Sequence, residues 1–365
     1  MNLCDLAVES IAGLQPYVPG KPIEELQRQY GVRDVIKLAS NESPIGPSQA
    51  ALAAIALATR DLTRYPDGNG FALKQALAEK FQLDARQITL GNGSNDVLEL
   101  IARCFASPAD EIMFSQHAFA VYSLVAQAIG ASLVEVPAKD FGHDLTAMQQ
   151  AITAKTKLIF IANPNNPTGT YVAANQIHDF LQAVPDNVIV VLDEAYVEYG
   201  DNEQNSIDWL KQFPNLIICR TFSKAYGLAG LRVGFALSNP EIADLLNRLR
   251  QPFNVNHLAM SAAIAALGDE DYLQRAKQVN TEGMQQYIDG FTAMGLNYIP
   301  SKANFICVDV AKNAADIYEK LLQQGVIVRP VAGYGLPTHL RISIGLEHEN
   351  QRCLEALENS LAEAK

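Results

Sequence analysis

The densest concentration of reactive side chains is Thr221-Phe222-Ser223-Lys224-Ala225-Tyr226-Gly227-Leu228-Ala229-Gly230-Leu231-Arg232. A lysine is ordinarily a solvated cation. Lys224 differs because it sits among small residues just past the apolar run LIIC, with Ser223 beside it and Arg232 downstream. An amine in such a pocket loses part of its basicity and can form a Schiff base with a carbonyl. A second group lies at Asp193, which ends the run VIVVL and is followed by Glu194, Ala195 and Tyr196. A carboxylate at the end of a buried strand is costly unless a positive charge meets it. A structural salt bridge would meet it, and so would the protonated ring nitrogen of a ligand. The Tyr196 hydroxyl could reach the same ligand.

Two loops add polar groups. Asn163-Pro164-Asn165-Asn166-Pro167-Thr168-Gly169 follows the run LIFIA and holds side-chain amides in fixed directions, as either a binding loop or a plain one. Gly91-Asn92-Gly93-Ser94-Asn95-Asp96 stands between QITL and DVLELIARCF. Glycines before a helix let backbone amides approach an anion, although Ser94 or Asn95 would serve equally as a simple cap. The loop lacks the GK[ST] of a nucleotide-triphosphate loop, and Asp96 stands where a dinucleotide fingerprint needs its third glycine.

These groups need strands that end side by side. Strands are expected at Ile88–Leu90, Glu111–Phe114, Ser132–Val136, Leu158–Ala162, Val188–Leu192, Leu216–Cys219 and Val233–Leu237, with helices at Asn95–Phe105, Val121–Ile129 and Asn175–Val184 between them. Several runs are continuously apolar, as in strands covered on both faces, so an α/β domain with a mostly parallel seven-stranded sheet is expected. In such sheets ligands lie at the carboxyl ends of the strands. Helices follow at Glu241–Arg250, Leu258–Leu267 and Glu270–Met294. A smaller α/β unit closes the chain, with strands at Asn304–Val308, Val326–Val328 and Leu340–Ile344 and helices at Ala314–Gln324 and Glu349–Ala364. The expected division is an ordered N-terminal arm over 1–45, a large domain over 46–265 and a small domain over 266–365.

Composition narrows the class. The chain has 365 residues, 48% of them hydrophobic and 19% charged, which excludes disorder as the main state. Its net charge of −12 argues against a nucleic-acid binder. No apolar run is long enough to span a membrane, and the first residues lack a signal-peptide pattern, so a cytoplasmic protein is expected. The 5 cysteines are scattered without a CxxC pair, and the histidines show no metal spacing, so no metal site is expected.

In the order and spacing of NPNNPTG, DEAY and SKAYGLAGLR the chain resembles the class I/II aminotransferases, pyridoxal-phosphate enzymes of fold type I. The resemblance covers essentially the whole chain. It implies that Lys224 holds pyridoxal 5′-phosphate covalently, that Asp193 pairs with the pyridine nitrogen, and that Asn166 and Tyr196 bind the ring hydroxyl. Ser94, Asn95, Ser223 and Arg232 would hold the phosphate. Phe119, in QHAFAVY, would stack on the ring, keeping the apolar face that relatives with tyrosine or tryptophan supplement with a polar group. LQPYVPGKPIEEL, LASNESPIGPS, RYPDGNG, QPFNVNHLA and LRISIG point to a branch that transfers an amino group between histidinol phosphate and 2-oxoglutarate, or glutamate and the keto partner in reverse. In that branch Tyr17, Asn41, Arg329 and Arg341 line the substrate side, and Tyr65 reaches the phosphate in a neighbouring subunit, which implies a homodimer. Arg341 has independent support: Leu340, Ile342 and Ile344 share one strand face and leave Arg341 on the other. An arginine fork suits a phosphate or carboxylate. The alternatives are an aromatic amino-acid aminotransferase, a pyridoxal-phosphate decarboxylase of a phosphorylated amino acid, and a non-enzymatic binding protein, which would not need Lys224 and Asp193.

Overall fold

The computed structural model describes residues 3–16, 19–200 and 206–362. The chain opens with α1 (Glu9–Ala12), α2 (Ile23–Tyr30), β1 (Ile36–Lys37), α3 (Gln49–Ala58) and α4 (Phe71–Phe81). Next come β2 (Ile88–Gly91), α5 (Ser94–Phe105), β3 (Glu111–Ser115), α6 (Ala120–Ile129), β4 (Ser132–Val136), α7 (Leu145–Gln150), β5 (Thr156–Ala162) and α8 (Ala174–Ala183). The sheet is completed by β6 (Ile189–Asp193), β7 (Leu216–Thr221) and β8 (Gly234–Ser238). Helices α9 (Pro240–Leu249), α10 (His257–Leu267) and α11 (Glu270–Met294) lead to β9 (Asn297–Ile299) and β10 (Phe305–Asp309). The chain then runs through α12 (Ala314–Gln323), β11 (Val326–Ile327), β12 (Arg329–Pro330), β13 (His339–Ser343) and α13 (Glu347–Ala362).

The large sheet has 7 strands in the order β2-β8-β7-β6-β5-β3-β4. All run parallel except β8, which is antiparallel to both neighbours. Its strands read as unbroken apolar runs because both faces are covered. Along β6, Val190 and Leu192 enter one core while Ile189 and Val191 enter the other. On β5, Ile159 and Ile161 face the first core, and Leu158 and Phe160 the second. The two-residue period therefore survives as a choice between two buried faces.

The smaller sheet is antiparallel, in the order β12-β13-β10-β9. One face packs on α11, α12 and α13, burying Ile306, Val308, Leu340 and Ile342 around Tyr287 and Phe291. The N-terminal arm carries more regular structure than its proline content suggested. Its β1 pairs in parallel with β11, Ile36 and Leu38 join the same core, and Leu26 of α2 packs on Leu322 and Ile327. Helices α3 and α4 were not expected, and both pack against α10, which joins the core of the large sheet.

Candidate active site

The carboxyl ends of β5, β6 and β7 bring together the three polar clusters that follow them. Together with the first turn of α5, residues 39–41 of the arm and the two C-terminal arginines, they line one cavity of about 180 Å³. Asn41, Ser94, Asn95, Phe119, Asn166, Asp193, Tyr196, Ser223, Lys224, Arg232, Arg329 and Arg341 all lie on its wall. One expected residue does not. Tyr65 is 82% exposed and outside the cavity of its own chain. Tyr17 lies outside the described residues.

Lys224 follows β7 and donates from Nζ to the carbonyl of Ser40 at 2.9 Å. Burial, reinforced by the nearby Arg341 charge, lowers its ammonium pKa to about 7. At neutral pH it is therefore poised between base and acid, as a nucleophilic amine must be. Asp193 ends β6 and is buried. Burial pushes its carboxyl up to about 6, against the lowering effect of the hydrogen bond from Tyr122. That bond, from the Tyr122 hydroxyl to Oδ2, measures 2.7 Å. Oδ1 is buried without a hydrogen-bond partner. The salt bridge on this strand end belongs to the next residue: Glu194 pairs with Arg220 at 2.7 Å. Asp193 makes no ion pair among the described residues, and its side chain lines the cavity with acceptor capacity to spare.

A continuous network lines the opposite wall. The Tyr196 hydroxyl accepts from Asn41 Nδ2 at 3.0 Å and from Asn166 Nδ2 at 3.2 Å. Arg341 donates to Asn166 Oδ1 at 2.6 Å and to the Ala39 carbonyl at 2.7 Å, while its Nε is buried without a partner. Ser343 Oγ fixes Asn41 through the backbone N–H at 2.8 Å and through Oδ1 at 3.1 Å. Burial lifts the Tyr196 phenol to about 12, so it stays protonated at neutral pH. Arg329 and Arg341 are direct cross-strand partners on β12 and β13, and both line the cavity. Like charges placed opposite each other repel. An anion between them removes that penalty.

The third wall is an anion cradle. Helix α5 starts at Ser94 with no side-chain cap, leaving its first amides available. Arg232 reaches Ser223 Oγ at 3.3 Å and the Ala229 carbonyl at 3.1 Å. Gly93, at φ +85°, permits this closeness, since a Cβ there would stand 2.3 Å from the Arg232 guanidinium. Phe119 lies edge-on to Tyr122 at 5.9 Å, and Tyr122 stacks on Phe160 at 4.6 Å.

Sequence reasoning did not single out Tyr122 or the Ser40 carbonyl. Tyr122 lies on the buried face of α6 and reads as core, and no periodicity distinguishes a buried tyrosine that packs from one that donates a bond. Among the described residues no group of three His, Cys, Asp or Glu side chains is gathered as for a metal ion.

Comparisons with known proteins give the following. The family model described as aminotransferase class I and II matches residues 33–358. A histidinol-phosphate aminotransferase 2 of Pseudomonas fluorescens (strain Pf0-1) is 58% identical over 365 residues, covering 99% of each chain. That of Pasteurella multocida (strain Pm70) is 58% identical over 363 residues, covering 99% of this chain and 100% of its own. Among solved structures, the histidinol-phosphate aminotransferase of Sinorhizobium meliloti, in complex with pyridoxal-5′-phosphate, superposes with a TM-score of 0.92 at 33% identity, covering 98% of both chains. An aspartate aminotransferase of Thermus thermophilus shares the fold, with a TM-score of 0.84 at 21% identity over 97% of this chain and 99% of its own.

Proposed function

The chain belongs to the class I and II aminotransferases, and we propose that it carries an amino group between glutamate and the keto partner of histidinol phosphate, in histidine biosynthesis, using pyridoxal 5′-phosphate. The observation that carries the substrate assignment is the Arg329–Arg341 pair, two cationic forks set opposite each other on the cavity wall. The phosphate of a phosphorylated substrate is an anion whose oxygens suit two guanidinium forks.

The cavity fits the cofactor. The spare acceptor capacity of Asp193 suits the pyridine N–H, and the uncapped start of α5 with Ser94, Asn95, Ser223 and Arg232 suits the phosphate. Asn166 and Tyr196 have hydroxyl and amide groups for the ring oxygen, and Phe119 offers an apolar face. When bound, the cofactor supplies a carbonyl for the amine and an electron sink for the substrate's Cα bond. The chain does the rest. Asp193, ionised beside a positive ring nitrogen, keeps that nitrogen protonated. Lys224 Nζ would hold the cofactor, and as a free amine beside the substrate it would move the proton at Cα. Tyr196, kept protonated by burial, donates a hydrogen bond to a ring oxygenate. The walls, including the buried Ala39 and Asn41, limit access of water.

We place Tyr65 in the site of a second copy, making the protein a homodimer with shared sites. The support is an exposed aromatic ring that its own cavity does not use. Tyr17 is assigned to the substrate side with Asn41. No helix among the described residues is long and apolar enough to cross a membrane, and we assign the protein to the cytoplasm.

The experiment is a half-reaction. Cofactor-loaded protein is mixed with histidinol phosphate or with phenylalanine, without a keto acid, while the absorption of the lysine-bound cofactor is followed. Fast loss with histidinol phosphate and slow loss with phenylalanine is expected. The opposite preference makes the protein an aromatic aminotransferase, and release of carbon dioxide makes it a decarboxylase.

A further inference from the structure

The segment Arg250–Asn254 lines no wall of the cavity, yet it joins two loops that do binding work. Arg250 extends its fork to the Gly68 carbonyl at 2.8 Å and to Asn254 Oδ1 at 2.7 Å. Asn254 Nδ2 then donates to Asp96 Oδ2 at 2.8 Å and to the Leu90 carbonyl at 3.2 Å. Asp96 Oδ2 also accepts from the Asn92 N–H at 2.7 Å, inside the loop that starts α5. An unbroken path of hydrogen bonds thus runs from the Tyr65 loop to the anion cradle. Packing follows the same line. Tyr65 stacks on Phe253 with centroids 4.8 Å apart, and Phe253 is held at φ +59°. A Cβ on Gly68 would meet the Phe253 ring at 3.2 Å, so the loop and the strap lie in direct contact. Every polar atom of the Asn254 amide is used.

We propose that Arg250 and Asn254 are positioning residues that tie the Tyr65 loop to the cradle loop, so that one set of bonds shapes both a chain's own phosphate site and the group it lends to a second copy. The inference rests on the reading that Tyr65 enters the site of a second copy. Neither residue touches the reacting groups. Their effect passes through Asp96 to the turn at Asn92–Asn95, and through Gly68 and Phe253 to Tyr65. The two sites of a dimer would then be joined by a short covalent and hydrogen-bonded strap within each chain.

The test uses mixed dimers in which one chain carries Lys224→Ala, leaving one site able to hold the cofactor on a lysine. Arg250→Met is placed first on the chain with Lys224 and then on the Lys224→Ala chain. The readout is the dissociation constant of pyridoxal 5′-phosphate for the lysine-bearing site, from its absorption on titration into cofactor-free protein. Both placements are expected to weaken binding roughly tenfold, the effect of a lost charge-assisted hydrogen bond. Loss in the first placement alone overturns the lending role, and loss in neither overturns the inference. A merely structural role lowers the melting temperature without moving affinity in the second placement. Arg250→Lys keeps the charge and loses the fork, so it should show a smaller loss of the same kind, and it carries the test if the methionine variant does not fold. Sedimentation of the wild-type protein separates the two readings. A monomer that binds the cofactor removes the homodimer and this inference with it, whereas a dimer unaffected by Arg250→Met removes this inference alone.

Discussion

Asp193 illustrates how a site can be assembled at the expense of the empty protein. Burial moves its carboxyl from 3.8 to about 6 in the folded, cofactor-free chain. At about 1.4 kcal/mol per pH unit, holding this group ionised costs the fold about 3 kcal/mol. The folded carboxyl binds its proton more tightly than the unfolded one. Its contribution is therefore complete below about pH 4 and is lost as the pH rises through about 6. Asp193→Asn removes the titration. The variant still offers Tyr122 an acceptor, though its amide N–H₂ is buried without one, a cost of about 1–3 kcal/mol that does not depend on pH. The difference in unfolding free energy between variant and wild type should thus move by about 3 kcal/mol in favour of the variant between pH 4 and pH 8. Urea denaturation of both cofactor-free proteins across that range measures it. Parallel stability curves would refute the reasoning, whatever their offset. With cofactor bound, a cation beside Oδ1 lowers the wild-type pKa, so the slope should flatten while the variant loses turnover.

Four other expectations follow from single residues. Lys224 in the cofactor-free protein should react with an amine-directed reagent along a curve centred near pH 7, because burial and Arg341 hold its pKa at about 7; a midpoint near 10 would remove it from the pocket described. Arg329→Ala should reduce kcat/KM for the phosphorylated substrate by roughly tenfold to a hundredfold, and for phenylpyruvate far less; equal losses would dissociate Arg329 from the phosphate. Gly93→Ala forces a Cβ to 2.3 Å from the Arg232 guanidinium at a φ of +85°. Strain of about 1–3 kcal/mol should appear as weaker cofactor retention, measured by dialysis, and unchanged retention would show the cradle to be pliant. Tyr122→Phe deletes the hydrogen bond from the Tyr122 hydroxyl to the Asp193 carboxylate, at 2.7 Å, and should weaken cofactor binding roughly tenfold in equilibrium titration.

What was legible in the sequence is what a strand period and a local cluster can carry. Lys224, Asp193 and Asn166 each follow an apolar run, and parallel strands bring their ends together whatever the rest of the chain does. Residue Arg341 was legible for a related reason, since alternation along β13 sends it away from Leu340 and Ile342, and the structure buries it on the cavity wall. Other features depend on partners far along the chain. Asn41 sits in a stretch without period and is fixed by Ser343, which only the pairing of arm and small sheet brings near. Helix α3 is rich in alanine and has no sharp apolar stripe, because α10 packs on it through similarly small residues. Arg250 and Asn254 read as a polar end of a helix and a loop asparagine. Their meaning lies in Gly68 and Asp96, brought together only when the chain closes around β2. Local chemistry fixes which residues can react, and long-range pairing fixes which can hold them. That division predicts where substitutions will surprise: changes at Lys224 should act on cofactor attachment and chemistry in the site it occupies, while changes at Arg250 should act on affinity in a site the residue never enters.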